Sequence, residues 1–166
     1  MRKLLIFLGH LRWGGAAIPS EPPTIMAIRL RVDHRRWLVS THFSGEVSLP
    51  QFAKYAREFS KLPVSEVPLI HFADGTNLTR VGFTVDQLVP HAEQMIARLA
   101  YGGDIAAGII LTPTAIGLPF AQMFRDIAAD TFPIEVYEDV DRALDRLNGL
   151  FTMPPENRPV PIRSGA

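Results

Sequence analysis

The hydrophobic pattern of the chain becomes regular at residue 24. Within 24–33 the apolar residues 28, 30 and 32 alternate with charged residues at 29, 31 and 33, and a similar alternation returns over 37–43. A period of two is typical of a strand that buries one of its faces. Residues 34–35 are expected to turn the chain between them, so the pattern predicts a β-hairpin that ends at 44–45.

Four later stretches carry apolar residues at helical spacing. Ser48 and Thr84 are each followed three residues later by glutamine, which is the spacing of a capping box. Asp139 is expected to cap the last helix and Gly149 to stop it. Pro90 lies past the first turn of the second helix and is expected to kink or restart it. The predicted buried stripes are Leu49, Phe52, Ala56 and Phe59; Leu88, Ala92, Met95 and Leu99; Ile116, Phe120, Met123 and Ile127; and Val140, Leu144 and Leu147.

Three apolar runs between these helices predict strands. The run at 69–72 is followed by Asp-Gly-Thr-Asn at 74–77, a turn-forming sequence that is expected to end the strand in a loop. The run at 105–111 is apolar without alternation, which suits a strand covered on both faces, and 133–138 is expected to be a short strand. The order β-β-α-β-α-β-α-β-α predicts one α/β domain over 24–150. Its mixed sheet would have about five strands, an antiparallel edge hairpin and helices packed on it.

The two ends of the chain fall outside this pattern. Residues 1–23 begin with a basic and then apolar stretch that breaks at Gly9 and His10, which makes it a poor match to a signal peptide. A frayed extension and an upstream start codon, with Met26 as the true first residue, are the alternatives that we favour. Residues 151–166 are rich in proline and are expected to form a disordered tail.

Composition removes several classes of function. The 17 Lys and Arg residues balance the 17 Asp and Glu residues, so no net field attracts nucleic acid or an anionic membrane. The chain has no cysteine, which excludes disulfides, thiolate catalysis and cysteine-ligated metals. No apolar run reaches the ~18 residues that a membrane span needs. We therefore expect a cytoplasmic protein that neither binds nucleic acid nor spans a membrane.

Four arginines lie on the predicted edge hairpin. Charge is a common protection of an exposed edge strand against unwanted pairing, and an acidic partner is the alternative explanation. The four residues are Arg29, Arg31, Arg35 and Arg36.

Several segments combine into a recognisable set. They are Phe-Ser-Gly at 43–45 before a helix, an apolar strand ending in Asp at 69–74, Gly-Phe-Thr-Val-Asp-Gln-Leu at 82–88, the strand at 105–111 followed by Gly-Leu-Pro-Phe-Ala-Gln-Met-Phe at 117–124, and Val-Tyr-Glu-Asp-Val-Asp-Arg-Ala-Leu at 136–144. Over about 25–150 this set resembles the SpoIIAA-like branch of the STAS-fold family. The resemblance implies a STAS-type fold and a non-catalytic regulatory or interaction role.

The chain departs from that family at one functional position. Members that antagonise anti-sigma factors carry Asp-Ser-Ser-Gly at the entry to the helix after the third strand, and a serine there is phosphorylated. The corresponding residues at 83–86 read Phe-Thr-Val-Asp, and Thr84 is the only hydroxyl among them. The resemblance therefore implies the fold more strongly than that phosphotransfer activity.

Polar side chains gather where the strands are predicted to end. Two groups precede helices, where backbone N–H groups favour a negative ligand or a phosphate. Turn formation and helix capping explain the same residues without any ligand. The second group lacks the lysine and the glycines of a P-loop. The candidate binding residues are Asp74, Thr76, Asn77 and Thr84 in the first group, and Thr112 and Thr114 in the second.

A different hypothesis uses two histidines. His42 and His71 both precede a phenylalanine near strand ends, and with Asp74 they could form an acid–base or metal site if the three side chains converge. No metal-binding spacing accompanies them, so we expect no metal and no cofactor. Opposite positions on the sheet would remove this hypothesis.

The leading interpretation is a non-catalytic domain that binds a protein partner, or a small apolar or anionic ligand, at the strand-end loops. Apolar residues on the helices could line a pocket or could simply form the core: Phe52, Phe59, Met95, Phe120, Met123 and Phe124. The alternatives are a small enzyme that uses His42, His71 and Asp74, and a homodimer formed through the edge hairpin.

Overall fold

A computed structural model describes residues 27–62, 67–102 and 105–153. The predictions for residues 1–23, for the starting methionine and for the tail from residue 154 lie outside this part of the chain. The same is true of the first residues of the alternating stretch, at 24–26.

The centre of the fold is a five-stranded sheet whose spatial order follows the chain. The first strand pairs antiparallel with the second, and every other pair is parallel. This arrangement confirms the predicted mixed sheet with an antiparallel edge hairpin. The strands are β1 (Ile28–Asp33), β2 (Leu38–Val47), β3 (Leu69–Val81), β4 (Ile105–Leu111) and β5 (Ile134–Tyr137).

Four helices cover the sheet unequally. They are α1 (Leu49–Phe59), α2 (Val85–Gly102), α3 (Leu118–Ala128) and α4 (Val140–Thr152). Helices α1, α2 and α3 each connect two parallel neighbours, and crossovers of one hand that step in one direction place their helices on one face. We call this the three-helix face, where Leu69 packs in the core with Phe59 and Leu88. The opposite face, the α4 face, buries Ile70 against Leu150.

Local signals in the sequence place the helix starts correctly. The backbone N–H of Ser48 donates to Gln51 Oε1 at 2.8 Å. At the start of α2 the Thr84 N–H donates to Gln87 Oε1 at 2.9 Å, and Thr84 Oγ1 accepts from the Gln87 N–H at 3.3 Å. Asp139 Oδ1 accepts the Arg142 N–H at 2.8 Å. The two capping boxes and the aspartate cap are confirmed.

The predicted loop at 74–77 is wrong, because these residues continue β3 to Val81. Strand β2 also continues past its predicted end at 44–45 and reaches Val47. Two register shifts let β2 and β3 keep pairing, and Gly45 has a φ of +66°, which glycine adopts without strain. Backbone pairing with a neighbouring strand overrides the local turn preference of Asp-Gly.

Three predictions about the helices are also corrected. Helix α2 runs through Pro90 without a restart, and the kink that was the alternative there stays a prediction. Ile116 precedes α3 and is 40% exposed, so it is not part of the buried stripe of that helix. Helix α4 continues through Gly149 to Thr152, which moves the start of the predicted tail at 151.

The buried stripe of α4 differs from the predicted one. Val140 and Leu144 are 41% and 42% exposed, whereas Ala143 and Leu150 are fully buried. Both sets have helical spacing, and the docking angle of the helix on the sheet decides between them. Leu147 is buried, as predicted.

Candidate functional site

A cavity of about 100 Å³ lies between the three-helix face of the sheet and helices α1, α2 and α3. Its wall combines side chains from all three helices with strands β2 to β5, and the described residues that line it include no Asp, Glu, Lys or Arg. The lining residues are Phe43, Val47, Phe52, Tyr55, His71, Ala73, Gly75, Leu78, Val81, Phe83, Leu88, Met95, Ile96, Leu99, Ile110, Leu111, Thr112, Gly117, Phe120, Ala121, Phe124, Phe132 and Ile134.

Aromatic rings form much of this wall. Phe52 of α1 is the central ring, with its centroid 5.3 Å from Tyr55, 6.2 Å from Phe83 and 5.8 Å from Phe124. Phe83 in turn lies 5.5 Å from Phe120 in an edge-to-face contact. These contacts include the edge-to-face arrangement that aromatic pairs prefer, so the rings support one another as an apolar wall.

Some apolar residues singled out in the sequence line the cavity and others do not. Phe52, Met95 and Phe120 line it together with Phe124. Phe59 is fully buried in the core near His71 and does not line it.

One polar cluster interrupts the apolar wall. The hydroxyl of Thr41, which is fully buried, donates to the Tyr55 hydroxyl at 3.3 Å. The same oxygen lies 3.0 Å from Nε2 of His71, and Tyr55 OH lies 3.5 Å from that nitrogen. We call these three residues the polar triangle. Tyr55 and His71 line the cavity, and Thr41 lies behind them.

The polar triangle is uncharged near neutral pH. Burial lowers the pKa of His71 to about 4, so its imidazole is neutral. Burial also raises the pKa of Tyr55, an effect that the hydrogen bond from Thr41 partly opposes. Neither group therefore supplies a charge to the cavity.

The cavity reaches the carboxyl ends of the strands, the usual location of ligands in open α/β sheets. Val47, Val81 and Leu111, the last residues of β2, β3 and β4, all line it. Thr112 is only 2% exposed, and its hydroxyl donates to the Thr114 carbonyl at 3.3 Å. Gly117 lines the cavity beside Thr112. A Cβ atom added at Gly117 would collide with Thr112 Oγ1, so this position has no room for a side chain.

Of the six candidate binding residues, Thr112 is the one that lines this cavity. Thr84 caps α2. Thr76 and Asn77 are exposed on the extension of β3, and the Thr76 N–H donates to Asp74 Oδ1 at 2.9 Å. Thr114 is half-buried beside Thr112. A binding role for these residues stays a prediction.

The two histidines lie on opposite faces of the sheet. Successive strand residues point to opposite faces, so His71 shares the three-helix face with Leu69, and Asp74 shares the α4 face with Ile70. His42 Nδ1 lies 3.0 Å from Asp74 Oδ2. The three side chains therefore do not converge, and the described residues contain no group of three or more potential ligands that could hold a metal ion.

Sequence reasoning missed the polar triangle. Tyr55 is the one polar-tipped residue on the buried stripe of α1, and Thr41 and His71 both occupy inward positions of neighbouring strands. Each looks like an isolated core residue when its own element is considered alone. A search for polar side chains at inward positions on adjacent elements would have found them.

Comparisons with known proteins give a remote likeness. No protein-family model matches the sequence, and no curated protein matches it. Among solved structures the chain is similar to an uncharacterized protein of the DUF3478 family with a SpoIIAA-like fold, from Shewanella loihica PV-4. The two chains are 12% identical with a TM-score of 0.46, over 73% of this chain and 92% of that chain. The described helices include none that is long and apolar enough to span a membrane.

Proposed function

We propose that this protein is a non-catalytic, SpoIIAA-like domain that binds a small apolar molecule inside its fold. The observation that carries the proposal is the cavity between the three-helix face and its helices. Such a domain would change its stability and its surface with the concentration of that molecule, which is the behaviour of a regulatory module.

An empty cavity of this size is costly. Protein interiors are packed as densely as organic crystals, with few voids larger than a water molecule. At ~24 cal/mol per Å³ of void, leaving about 100 Å³ empty forfeits about 2 kcal/mol. Water is a poor filler because most of the wall offers it no hydrogen bond. An apolar molecule that fills the space recovers that energy.

The composition of the wall favours an apolar ligand over an anionic one. Within the described part of the chain no lysine or arginine lines the cavity, so a buried anion would lose its hydration without gaining a counter-charge. Engineered apolar cavities of ~150 Å³ take up benzene. This cavity is smaller, at about 100 Å³, so a short chain fits it directly and a ring of that size enters with small outward shifts of the lining side chains. The second class of function, a protein-interaction surface, stays a prediction.

The first experiment is native mass spectrometry of protein purified gently from cells. A copurified neutral molecule of low mass would support the proposal and identify the ligand. Toluene is then the probe, titrated into the protein while the amide resonances are followed by NMR. We expect saturable shifts that concentrate in α1, α2 and α3.

A pair of matched variants tests where toluene binds. Ala121 of α3 lines the cavity and is 3% exposed, so Ala121→Leu should fill the space and abolish the shifts. Ala97 of α2 is exposed, so Ala97→Leu makes the same change outside the cavity and should leave binding intact. Toluene shifts that are absent from the wild type, or that survive Ala121→Leu, would contradict the proposal.

A further inference from the structure

We infer that the natural ligand carries one uncharged hydrogen-bonding group, a hydroxyl or a carbonyl, which binds to Tyr55 and His71 at the polar triangle. This inference rests on the proposed function and specifies its chemistry. It assigns a role to polar groups that an apolar core has no need to hold.

The hydrogen atoms of the polar triangle can be counted. Thr41 and Tyr55 each bring one hydroxyl hydrogen, and a neutral His71 brings one on either ring nitrogen. The two shorter sides of the triangle are the 3.3 Å contact between Thr41 and Tyr55 and the 3.0 Å contact between Thr41 and Nε2. Each of these sides uses one hydrogen, so one of the three is not used inside the triangle.

The direction of the first contact fixes the others. Because Thr41 donates its hydroxyl hydrogen to Tyr55, Nε2 must donate to Thr41 across the 3.0 Å contact. This leaves the Tyr55 hydrogen to give and Nδ1 to accept, since both hydrogen-bond contacts of the imidazole within the described part of the chain involve Nε2. One donor and one acceptor therefore remain, on the two residues that line the cavity.

That pair of groups is complementary to a hydroxyl, which uses both, or to a carbonyl, which uses the donor. A carboxylate or an ammonium group would meet no opposite charge in the wall, because the lining residues that the structure describes include no Asp, Glu, Lys or Arg and the polar triangle is neutral. The ligand class is therefore a small apolar ring or chain with a neutral polar end. A purely apolar molecule would leave the donor and acceptor unpaired.

Three probes of one shape test this assignment by calorimetric titration at pH 7.5. Toluene has no polar end, p-cresol adds a neutral hydroxyl, and 4-methylbenzoate adds a carboxylate. One net hydrogen bond predicts that p-cresol binds about 3- to 10-fold more tightly than toluene. We expect no measurable binding of 4-methylbenzoate.

Variants show whether the polar triangle causes the preference. Tyr55→Phe removes one hydroxyl from the cavity wall, and Thr41→Val removes the hydroxyl that orients the other two groups. Both should reduce the preference for p-cresol toward 1-fold while toluene still binds. Tyr137→Phe is the matched control, because Tyr137 lies on the α4 face, where its hydroxyl donates to Glu135 at 2.6 Å.

The possible outcomes separate this inference from the proposed function. Three results would overturn this inference and leave the proposed function standing. They are equal affinity for toluene and p-cresol, a preference for p-cresol that survives both Tyr55→Phe and Thr41→Val, and tight binding of 4-methylbenzoate. Failure of all three probes to bind the wild type would overturn the proposed function, and this inference with it.

Discussion

Replacing Gly117 with alanine tests the tightest surroundings of any described glycine. The added Cβ would collide with Thr112 Oγ1 and would lie 3.2 Å from Thr112 Cβ. Thr112 has little freedom to move, because it is 2% exposed and its backbone N–H donates to the Tyr137 carbonyl at 2.8 Å. The collision must therefore be relieved by shifting α3 or by turning the threonine side chain away from its hydrogen bond.

The size of the effect follows from these two routes. Overpacking of a buried contact costs ~1–3 kcal/mol, and turning Thr112 away from the Thr114 carbonyl costs a hydrogen bond of about 1 kcal/mol. We expect Gly117→Ala to lower the free energy of unfolding by about 2 kcal/mol. In urea denaturation this is a fall in the midpoint of about 1 M at an unchanged m-value near 2 kcal/mol/M.

The same substitution elsewhere should have the opposite sign. Gly149 lies inside α4 with no atom within 4 Å of an added Cβ. Gly149→Ala should raise the free energy of unfolding by about 0.5–1 kcal/mol, since alanine is the better helix former. In a double-mutant cycle, Thr112→Ala should make Gly117→Ala less costly by at least ~1 kcal/mol. A neutral or stabilising Gly117→Ala, or an absence of coupling to Thr112, would refute the steric argument.

Three further predictions concern stability. The pKa of His71 is 6.5 in the unfolded chain and about 4 in the folded protein. Between these two values the unfolded chain binds a proton and the folded protein does not, so the free energy of unfolding falls as the pH drops from 6.5 to 4. Over that range the free energy of unfolding of His71→Gln should fall by up to about 3 kcal/mol less than that of the wild type. Parallel curves of stability against pH for the two proteins would contradict the argument. In urea denaturation, Leu150→Ala should lower the free energy of unfolding by about 2–5 kcal/mol and Leu144→Ala by less than ~0.5 kcal/mol. The stripe predicted for α4 from the sequence would give the opposite order. Asp139→Ala should cost about 1 kcal/mol through the lost helix cap, with an unchanged midpoint counting against that cap.

The parts of the fold that could be predicted from the sequence are those fixed by neighbouring residues. A capping box needs only Ser48 and Gln51, or Thr84 and Gln87, and both were identifiable from spacing alone. The hairpin and the strand–helix order follow in the same way from local periodicity. These local features were sufficient to predict the architecture correctly.

The missed features depend on partners that are distant in the chain. The extension of β3 beyond Asp74 exists because β2 continues beside it through a bulge at Gly45, and no local signal outweighs Asp-Gly as a turn former. The stripe of α4 depends on how the helix lies on the sheet. The cavity depends on how closely the side chains of three helices and four strands fill the space between them. A pattern of apolar residues is the same for a filled core and for one with a cavity, so the sequence cannot distinguish the two.

The spatial order of the strands, which equals their order in the chain, has a consequence for how the protein folds. No strand has to insert between two others, so the sheet can grow at one edge as each βα unit is added, with a single helical crossover to close at each step. The sequence separation of paired strands is therefore as small as parallel pairing allows, which lowers contact order and favours faster folding than a sheet of the same strands in a shuffled order. The hairpin at the amino-terminal edge can form first, and α4 covers the opposite face only after β5 is in place.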